Sequence, residues 1–98
     1  MYKLRKNNDT YRVEDFSTDK YTMSVTKLYR ARETSGHKHD HDEVYYFVQG
    51  KGKLILDNKV LEIIAGQFWY IQSGQFHKVI NTGDDTLVFT CAWYNDGY

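Results

Sequence analysis

Residues 37–52 read HKHDHDEVYYFVQGKG, and this stretch carries more information about the fold than any other. Three histidines fall within its first five residues, and Glu43 follows them. Because alternate residues of an extended chain share a face, His37 and His39 point the same way. Glu43 stands at the start of the apolar run 44–48, which is typical of a strand. An H-x-H pair by itself is compatible with a solvated polar loop, so further features must decide its chemistry.

A second stretch, residues 66–81, reads GQFWYIQSGQFHKVIN and places His77 at the start of a later strand. Three imidazoles and one carboxylate form a donor set that suits divalent Fe, Mn, Ni, Zn, Co or Cu. Ca²⁺ and Mg²⁺ prefer shells made of oxygen alone. Four protein ligands on an octahedral ion leave positions open for water or substrate, as metal catalysis requires.

Short apolar or alternating runs recur along the chain between Gly, Asn and Asp, and no stretch keeps a helical period. The turn signals Asp-Asn at 57–58 and Thr-Gly-Asp-Asp at 82–85 separate four of them. Seven or eight short strands at this spacing predict an all-β sandwich or barrel. Residues 1–20 are polar and weakly patterned, so we expect a leading strand or arm there and the barrel at 21–98. The runs are 25–29, 44–48, 54–56, 60–64, 68–71, 79–81 and 87–94.

The two quoted stretches resemble the two signature motifs of the cupin superfamily. The first family motif is H-x-H, three or four residues, E, six residues and G. The second is G, five residues, P-x-G-x-x-H, three residues and N. The chain departs from the family pattern at Ala31 (a leading glycine), Gln72 (the proline) and Gln67 (a frequent aspartate), all away from the ligands. The matching positions are His37, His39, Glu43, Gly50, Gly66, Gly74, His77 and Asn81.

The resemblance implies a small jelly-roll β-barrel, the double-stranded β-helix of the cupins. It also carries over His37, His39, Glu43 and His77 as the ligands of one divalent metal ion. His41 fills no ligand position of the motif. We interpret it as a polar loop residue or as a donor to a ligand side chain.

Alternation from Glu43 places Tyr45 and Phe47 inside the barrel. Tyr45 would then lie near the ion, where its hydroxyl could donate to a substrate or act as an acid or base. The alternative is that Tyr45 only fills the interior. Lys38 and Lys78 are expected to point outward, which leaves a phosphate-rich substrate without an anchor. An uncharged or lightly charged small molecule fits better.

Two functions follow from these residues. The first is a metal-dependent enzyme, which within the family means a dioxygenase, a sugar isomerase or epimerase, or a lyase. Residues 43–52 resemble small cupins of the sugar-isomerase type, and cupin lyases that cleave dimethylsulfoniopropionate also place a tyrosine where Tyr45 stands. The second is a module that binds or senses a small molecule without turning it over. A purely structural metal is the third, and a site open to the barrel interior argues against it.

Composition sets the remaining expectations. The 98 residues suit one domain, and 13 basic against 13 acidic residues without a basic stripe exclude nucleic acid as an expected partner. Without a signal peptide or a bilayer-length apolar run, we expect a cytoplasmic protein with no membrane partner. Cys91 is the only cysteine and is expected to be a small buried hydrophobe rather than a catalytic thiol. A thin core and exposed strand edges favour a homodimer that pairs through N-terminal strands.

Overall fold

The computed structural model describes residues 1–95, which form nine β-strands connected by turns and loops. Every predicted apolar run falls wholly or largely within one of these strands. Among the described residues, no helix is long and apolar enough to cross a bilayer. The strands are β1 (Tyr2–Asn7), β2 (Tyr11–Ser17), β3 (Tyr21–Leu28), β4 (Glu43–Gln49), β5 (Lys51–Leu56), β6 (Lys59–Ile64), β7 (Phe68–Ile71), β8 (His77–Asn81) and β9 (Leu87–Tyr94).

The strands form two antiparallel sheets that enclose one core. A six-stranded sheet has the order β1-β2-β3-β9-β4-β7, and a three-stranded sheet has the order β6-β5-β8. Alternation along the strands directs one side of each sheet inward, as the pattern of β5 shows, and burial of these side chains stabilises the fold. The predicted all-β jelly roll is confirmed. The fully buried apolar side chains are Leu28, Phe47, Leu54, Ile63, Ile71, Val79 and Leu87.

Two glycines allow β5 to leave one sheet and join the other. Gly50 separates β4 from β5 and has a φ of 93°, a conformation that costs glycine little. Gly52 lies against the carbonyl oxygen of Ile80, and an added Cβ would lie 2.2 Å from that oxygen. Any larger residue at 52 would therefore push β5 away from β8.

Asn81 joins the end of β8 to two other segments. Its buried side-chain amide donates to the carbonyl oxygens of Leu28 (3.0 Å), Tyr29 (3.1 Å) and Asp85 (2.8 Å). Its Oδ1 accepts from the N–H of Gly83 at 3.0 Å. The side chain thus satisfies backbone groups at the end of β3 and in the 82–85 turn, groups that would be costly to bury unpaired.

The departures from the family motifs each have a local structural counterpart. Ala31 has a φ of 61°, the left-handed conformation for which glycine is the usual choice. The N–H of Gln72 donates to Gln75 Oε1 at 2.8 Å, a bond that proline could not make. Gln67 Oε1 accepts from the N–H of Ile64 at 3.1 Å and so braces the turn before β7.

Residues 1–20 contain two strands that extend the larger sheet. β1 pairs with β2, and β2 pairs with β3 in continuous register from Tyr11↔Leu28 to Ser17↔Thr22. Asn8 Oδ1 accepts from the N–H groups of Thr10 and Tyr11 and closes the turn between β1 and β2. The division of the chain into an arm at 1–20 and a barrel at 21–98 stays a prediction.

Candidate metal centre

Three elements supply the four predicted ligands. His37 and His39 lie in the loop between β3 and β4, Glu43 begins β4, and His77 begins β8. The N–H of His37 donates to the carbonyl of His77 at 3.2 Å, and the N–H of His77 donates back at 3.0 Å. The N–H of Gly74 donates to the carbonyl of His39 at 2.7 Å. Backbone bonds therefore hold the first motif against the second before any ion is considered.

The side chains of these four residues converge. One ring nitrogen from each of His37, His39 and His77 lies within 4.8 Å of the other two. Glu43 Oε1 lies 3.3 Å from His77 Nε2 and 3.7 Å from His39 Nε2. Two ligands of one ion, each about 2.1 Å from it, are separated by at most about 4.2 Å. Glu43 Oε1 is within that limit of His39 and His77, and movements of a few tenths of an ångström would bring the three imidazole nitrogens within it as well.

Two of the converging atoms are buried without a hydrogen-bond partner. Glu43 Oε1 and His77 Nε2 have none among the described residues. Burying a polar atom without a hydrogen bond costs free energy, so most such atoms in folded proteins bind another group, a water molecule or an ion. A divalent cation between them would satisfy both, so the donor set fits a metal. The assignment of the four residues as ligands remains a prediction.

Burial keeps the imidazoles of His39 and His77 in the neutral form that binds metal. It lowers the pKa of His39 and of His77 below the ordinary 6.5, although the nearby Glu43 carboxylate opposes the shift in both. A neutral imidazole has a lone pair for a metal ion. His77 Nδ1 lies 3.3 Å from the carbonyl of Gln75, a contact that favours the proton on Nδ1 and leaves Nε2 facing Glu43.

His41 lies beside the ligand set rather than out in the loop. Its ring stacks on His39 at a centroid distance of 4.9 Å and on Trp93 at 5.6 Å. Its Nε2 is 3.9 Å from Glu43 Oε2, and neither of its ring nitrogens has a hydrogen-bond partner within residues 1–95. His41 thus lies against predicted ligand residues, but among the described residues it donates no hydrogen bond to one, and its role as a donor stays a prediction.

Cys91 makes a contact that the sequence analysis missed. Its thiol donates to Glu43 Oε2 at 3.0 Å, which leaves Oε1 to face His77. Burial, followed by the charge of Glu43, raises the pKa of the Cys91 thiol far above its ordinary range. Cys91 is therefore a neutral donor and a buried side chain, as expected, and it also orients a predicted ligand. The only signal for this contact is the pairing of Cys91 with Tyr45 across β9 and β4, a register that the sequence does not state.

Tyr45 and Phe47 both face inward, as strand alternation predicts. The Tyr45 ring stacks on Phe89 at 5.4 Å and meets the His77 ring edge-on at 6.1 Å. Burial, then the interactions with Cys91 and Glu43, raise the pKa of Tyr45 well above its usual range. Its hydroxyl is thus a donor rather than a base in this environment. Whether it acts on a substrate or only fills the interior stays open between the two interpretations.

A cavity of about 140 Å³ reaches the cluster. Trp93 lines it, whereas Tyr70 is exposed and donates to Asp42 outside it. Neither Lys38 nor Lys78 is among its lining residues, as expected. Arg5 and Lys6 of β1 line the same cavity, so basic side chains far from the two motifs reach the site. Weak patterning in residues 1–20 gave no sign that this strand reaches the site.

Residues 27–93 match the family model of the cupin domain, which is more than half of the chain. The protein therefore belongs to the cupin family. Its fold, the jelly roll described above, is the fold that the motif resemblance implied.

Relatives and solved structures agree with this assignment. The chain is 37% identical over 54 residues to an oxalate-binding protein of Thermotoga maritima, covering 54% of this chain and 45% of that protein. It is 32% identical over 71 residues to a glucose-6-phosphate isomerase of Thermococcus litoralis, covering 64% of this chain and 37% of that protein. It thus spans less than half the length of these curated relatives. The crystal structure of a predicted oxalate decarboxylase from Thermotoga maritima has a TM-score of 0.79 at 24% identity and covers 86% of this chain and 79% of its own, which shows the shared fold.

Proposed function

We propose that the protein holds one divalent transition-metal ion with His37, His39, Glu43 and His77 and uses it as a metal-dependent enzyme. The observation that carries the proposal is the buried, unpartnered pair of Glu43 Oε1 and His77 Nε2, 3.3 Å apart. The identity of the ion stays open among Fe, Mn, Ni, Zn, Co and Cu, since imidazole and carboxylate suit all of them. The partner is a small molecule that reaches the ion through the cavity.

Bound there, the ion would polarise an oxygen atom of the substrate and stabilise negative charge that develops on it. The chain's own residues have separate tasks. Cys91 fixes one oxygen of Glu43, and Tyr45 presents a neutral hydroxyl on the inner face of β4. A cavity of about 140 Å³ is small beside the roughly 300–1,000 Å³ of drug-sized ligand sites, which favours a substrate with few heavy atoms. Dioxygenase, sugar isomerase or epimerase, and lyase chemistry remain the candidate reactions.

A second candidate is a module that binds a small molecule without changing it. Two observations favour it. One relative is named an oxalate-binding protein. The raised pKa values of Tyr45 and Cys91 mean that neither side chain is a base at neutral pH. Tyr45→Phe separates the candidates once a substrate is known. An enzyme that needs the hydroxyl loses turnover with metal content unchanged, whereas unchanged turnover makes Tyr45 a packing residue.

Metal analysis of protein purified without an affinity tag tests the metal proposal. We expect one transition-metal ion per chain in the wild type and at least about 100-fold weaker metal binding in His77→Gln. Loss of a ligand should weaken binding more than loss of a residue that only supports a ligand, which costs about 10- to 100-fold. His41→Gln is the comparison variant: it removes a neighbouring imidazole that fills no predicted ligand position and should weaken metal binding less than His77→Gln does. Full metal retention by His77→Gln would contradict the four-ligand site.

We also propose a homodimer, and a cytoplasmic location stays a prediction. Large apolar side chains are exposed on β4 and β7, among them Val44, Phe68 and Tyr70, and β1 is an edge strand. Such surfaces are commonly covered by a second subunit. Size-exclusion chromatography with light scattering gives the mass directly, and a monomer at micromolar concentration would contradict the dimer.

A further inference from the structure

Two consecutive residues of β1, Arg5 and Lys6, line the cavity that contains the candidate ligands. Side chains of consecutive strand residues normally point to opposite faces of a sheet. The pairing of β1 with β2 explains the exception. Leu4 pairs with Glu14 and Lys6 pairs with Val13, so the register shifts and Arg5 is an extra residue. A bulge of this kind re-aims a side chain, and such bulges are frequent next to active sites.

The guanidinium of Arg5 is held in place but only partly used. Its Nε donates to Asp15 Oδ2 at 2.7 Å. A guanidinium has five N–H donors, and among the described residues no hydrogen bond uses the four on its two Nη atoms. Asp15 therefore fixes the Arg5 side chain and leaves its Nη groups available to bind a carboxylate bidentately.

Arg5 shares its cavity with residues of β4 and β9. Glu43, Tyr45 and Cys91 are among the residues that line it. Arg5 and the predicted ligand Glu43 therefore border the same space.

The summed charge of the lining is positive at this end. Arg5 and Lys6 contribute two positive charges against the one negative charge of Asp15, and a divalent ion would outweigh the carboxylate of Glu43. The hydroxyl-bearing residues Ser24 and Thr26 also line the cavity, which gives further polar contacts. A cavity with this sign of charge concentrates anions.

We propose that Arg5 and Lys6 form an anion-binding subsite and that the ligand is a small organic carboxylate, bound by the metal ion at one end and by the Arg5 guanidinium at the other. The inference rests on the proposed metal site and adds the chemical class of its ligand. It narrows the expectation of an uncharged or lightly charged molecule to an anion, and the cavity volume limits the carboxylate to a few carbon atoms.

Oxalate is a suitable probe for this test, with protein loaded with Co²⁺, whose visible absorption changes when an anion enters its coordination shell. Arg5→Ala should weaken oxalate binding about 10- to 100-fold, the usual loss for a hydrogen-bonded charge contact. Arg5→Lys should recover part of that loss, because it keeps the charge without the fork. The Co²⁺ affinity itself should be unchanged in both variants, since Arg5 is not a ligand.

Arg12→Ala is the matched control, because it removes the same charge from the neighbouring strand at a residue outside the cavity lining. Its oxalate affinity should stay within about twofold of the wild type, because Arg12 forms a half-buried ion pair with Glu14 away from the cavity. Equal effects of Arg5→Ala and Arg12→Ala, or no oxalate binding by the cobalt-loaded wild type, would overturn the subsite and leave the metal site standing. If no cobalt binds, the metal proposal fails, and nuclear magnetic resonance of the metal-free protein decides the subsite: the Arg5 Nε signal should shift with oxalate, and an unmoved signal would overturn it.

Discussion

The two ends of the cavity are built in different ways. At the ligand end, Glu43 and His77 are buried, and backbone hydrogen bonds join the two motifs that carry the candidate ligands. At the other end, Arg5 lies on an edge strand whose residues are all exposed, and a bulge aims its side chain. The candidate ligands Glu43 and His77 thus belong to the packed interior, whereas the groups proposed to select the ligand belong to an exposed edge strand. The predictions below test that contrast.

The largest effect should come from the core beneath the ligand end. Phe47→Ala removes a fully buried ring between the sheets and should lower the free energy of unfolding by about 3–5 kcal/mol. Leu4→Ala on β1 removes a side chain that is 40% exposed and should cost no more than about 0.5 kcal/mol. Chemical denaturation measures both. Similar losses would show that the edge hairpin is as essential to stability as the interior.

Glu43→Gln should weaken metal binding at least about 100-fold, because it removes the only carboxylate of the predicted ligand set while keeping its size. Competition with a chelator of known affinity measures the change. Glu62→Gln is the control, because it removes the same charge from an exposed position on β6. Unchanged metal affinity in Glu43→Gln would show that the Glu43 carboxylate is not a metal ligand.

Cys91→Val tests whether the thiol orients Glu43. It replaces the donor to Glu43 Oε2 with an apolar side chain of similar size and should lower metal affinity about 10-fold, as loss of a partner to a ligand does. Cys91→Ser restores a donor and should recover much of that affinity. The absorption spectrum of the cobalt-loaded variants checks the geometry at the ion. A spectrum and affinity identical to the wild type in Cys91→Val would make Cys91 a packing residue only.

The stability of the metal-free protein should rise with pH up to about neutrality. Burial lowers the pKa of His39 and His77 in the folded state below the 6.5 of the unfolded chain. Below that value the unfolded chain binds more protons, so stability falls as the pH falls. Thermal denaturation from about pH 5 to pH 7.5 measures the slope around the ordinary histidine pKa. In the double variant His39→Gln/His77→Gln, stability should change less steeply with pH. An unchanged pH dependence would mean that other groups cause it.

The smallest effect concerns Ala31, whose φ of 61° is strained for any residue with a Cβ. Ala31→Gly should raise the free energy of unfolding by about 0.5–1 kcal/mol, because relief of strain exceeds the added freedom of the unfolded chain. Ala65→Gly, where no positive φ occurs, should destabilise instead and is the control. Loss of stability in Ala31→Gly would show that the strain is already relieved by neighbouring contacts.

The sequence identifies the candidate ligands for a physical reason. Metal ligands are of few residue types, and their spacing suits alternate positions of strands, so the four predicted ligands can be picked out in the sequence. The structure brings their side chains together. The strands of the core are equally legible, because one face of each must be apolar. Phe47 and Val79 face inward as alternation requires.

The contacts that sequence analysis missed all depend on register between strands. Cys91 reaches Glu43 because β9 pairs with β4 in a particular alignment, and Arg5 enters the cavity because β1 carries one extra residue against β2. Polar strands such as β1 have no apolar period to reveal them. The turn formed around Asn8 was the available signal that residues 1–20 contain a hairpin.

The bulge at Arg5 also bears on how the binding preference could change over generations. Because Leu4 and Lys6 already pair with successive residues of β2, removal of Arg5 would leave a regular ladder with Lys6 still opposite Val13. One codon lost or gained at this point would therefore subtract or add a guanidinium in the cavity without altering any residue of the barrel interior. In this chain, an insertion or deletion in the first strand could change the proposed anion subsite while leaving the candidate metal ligands in place.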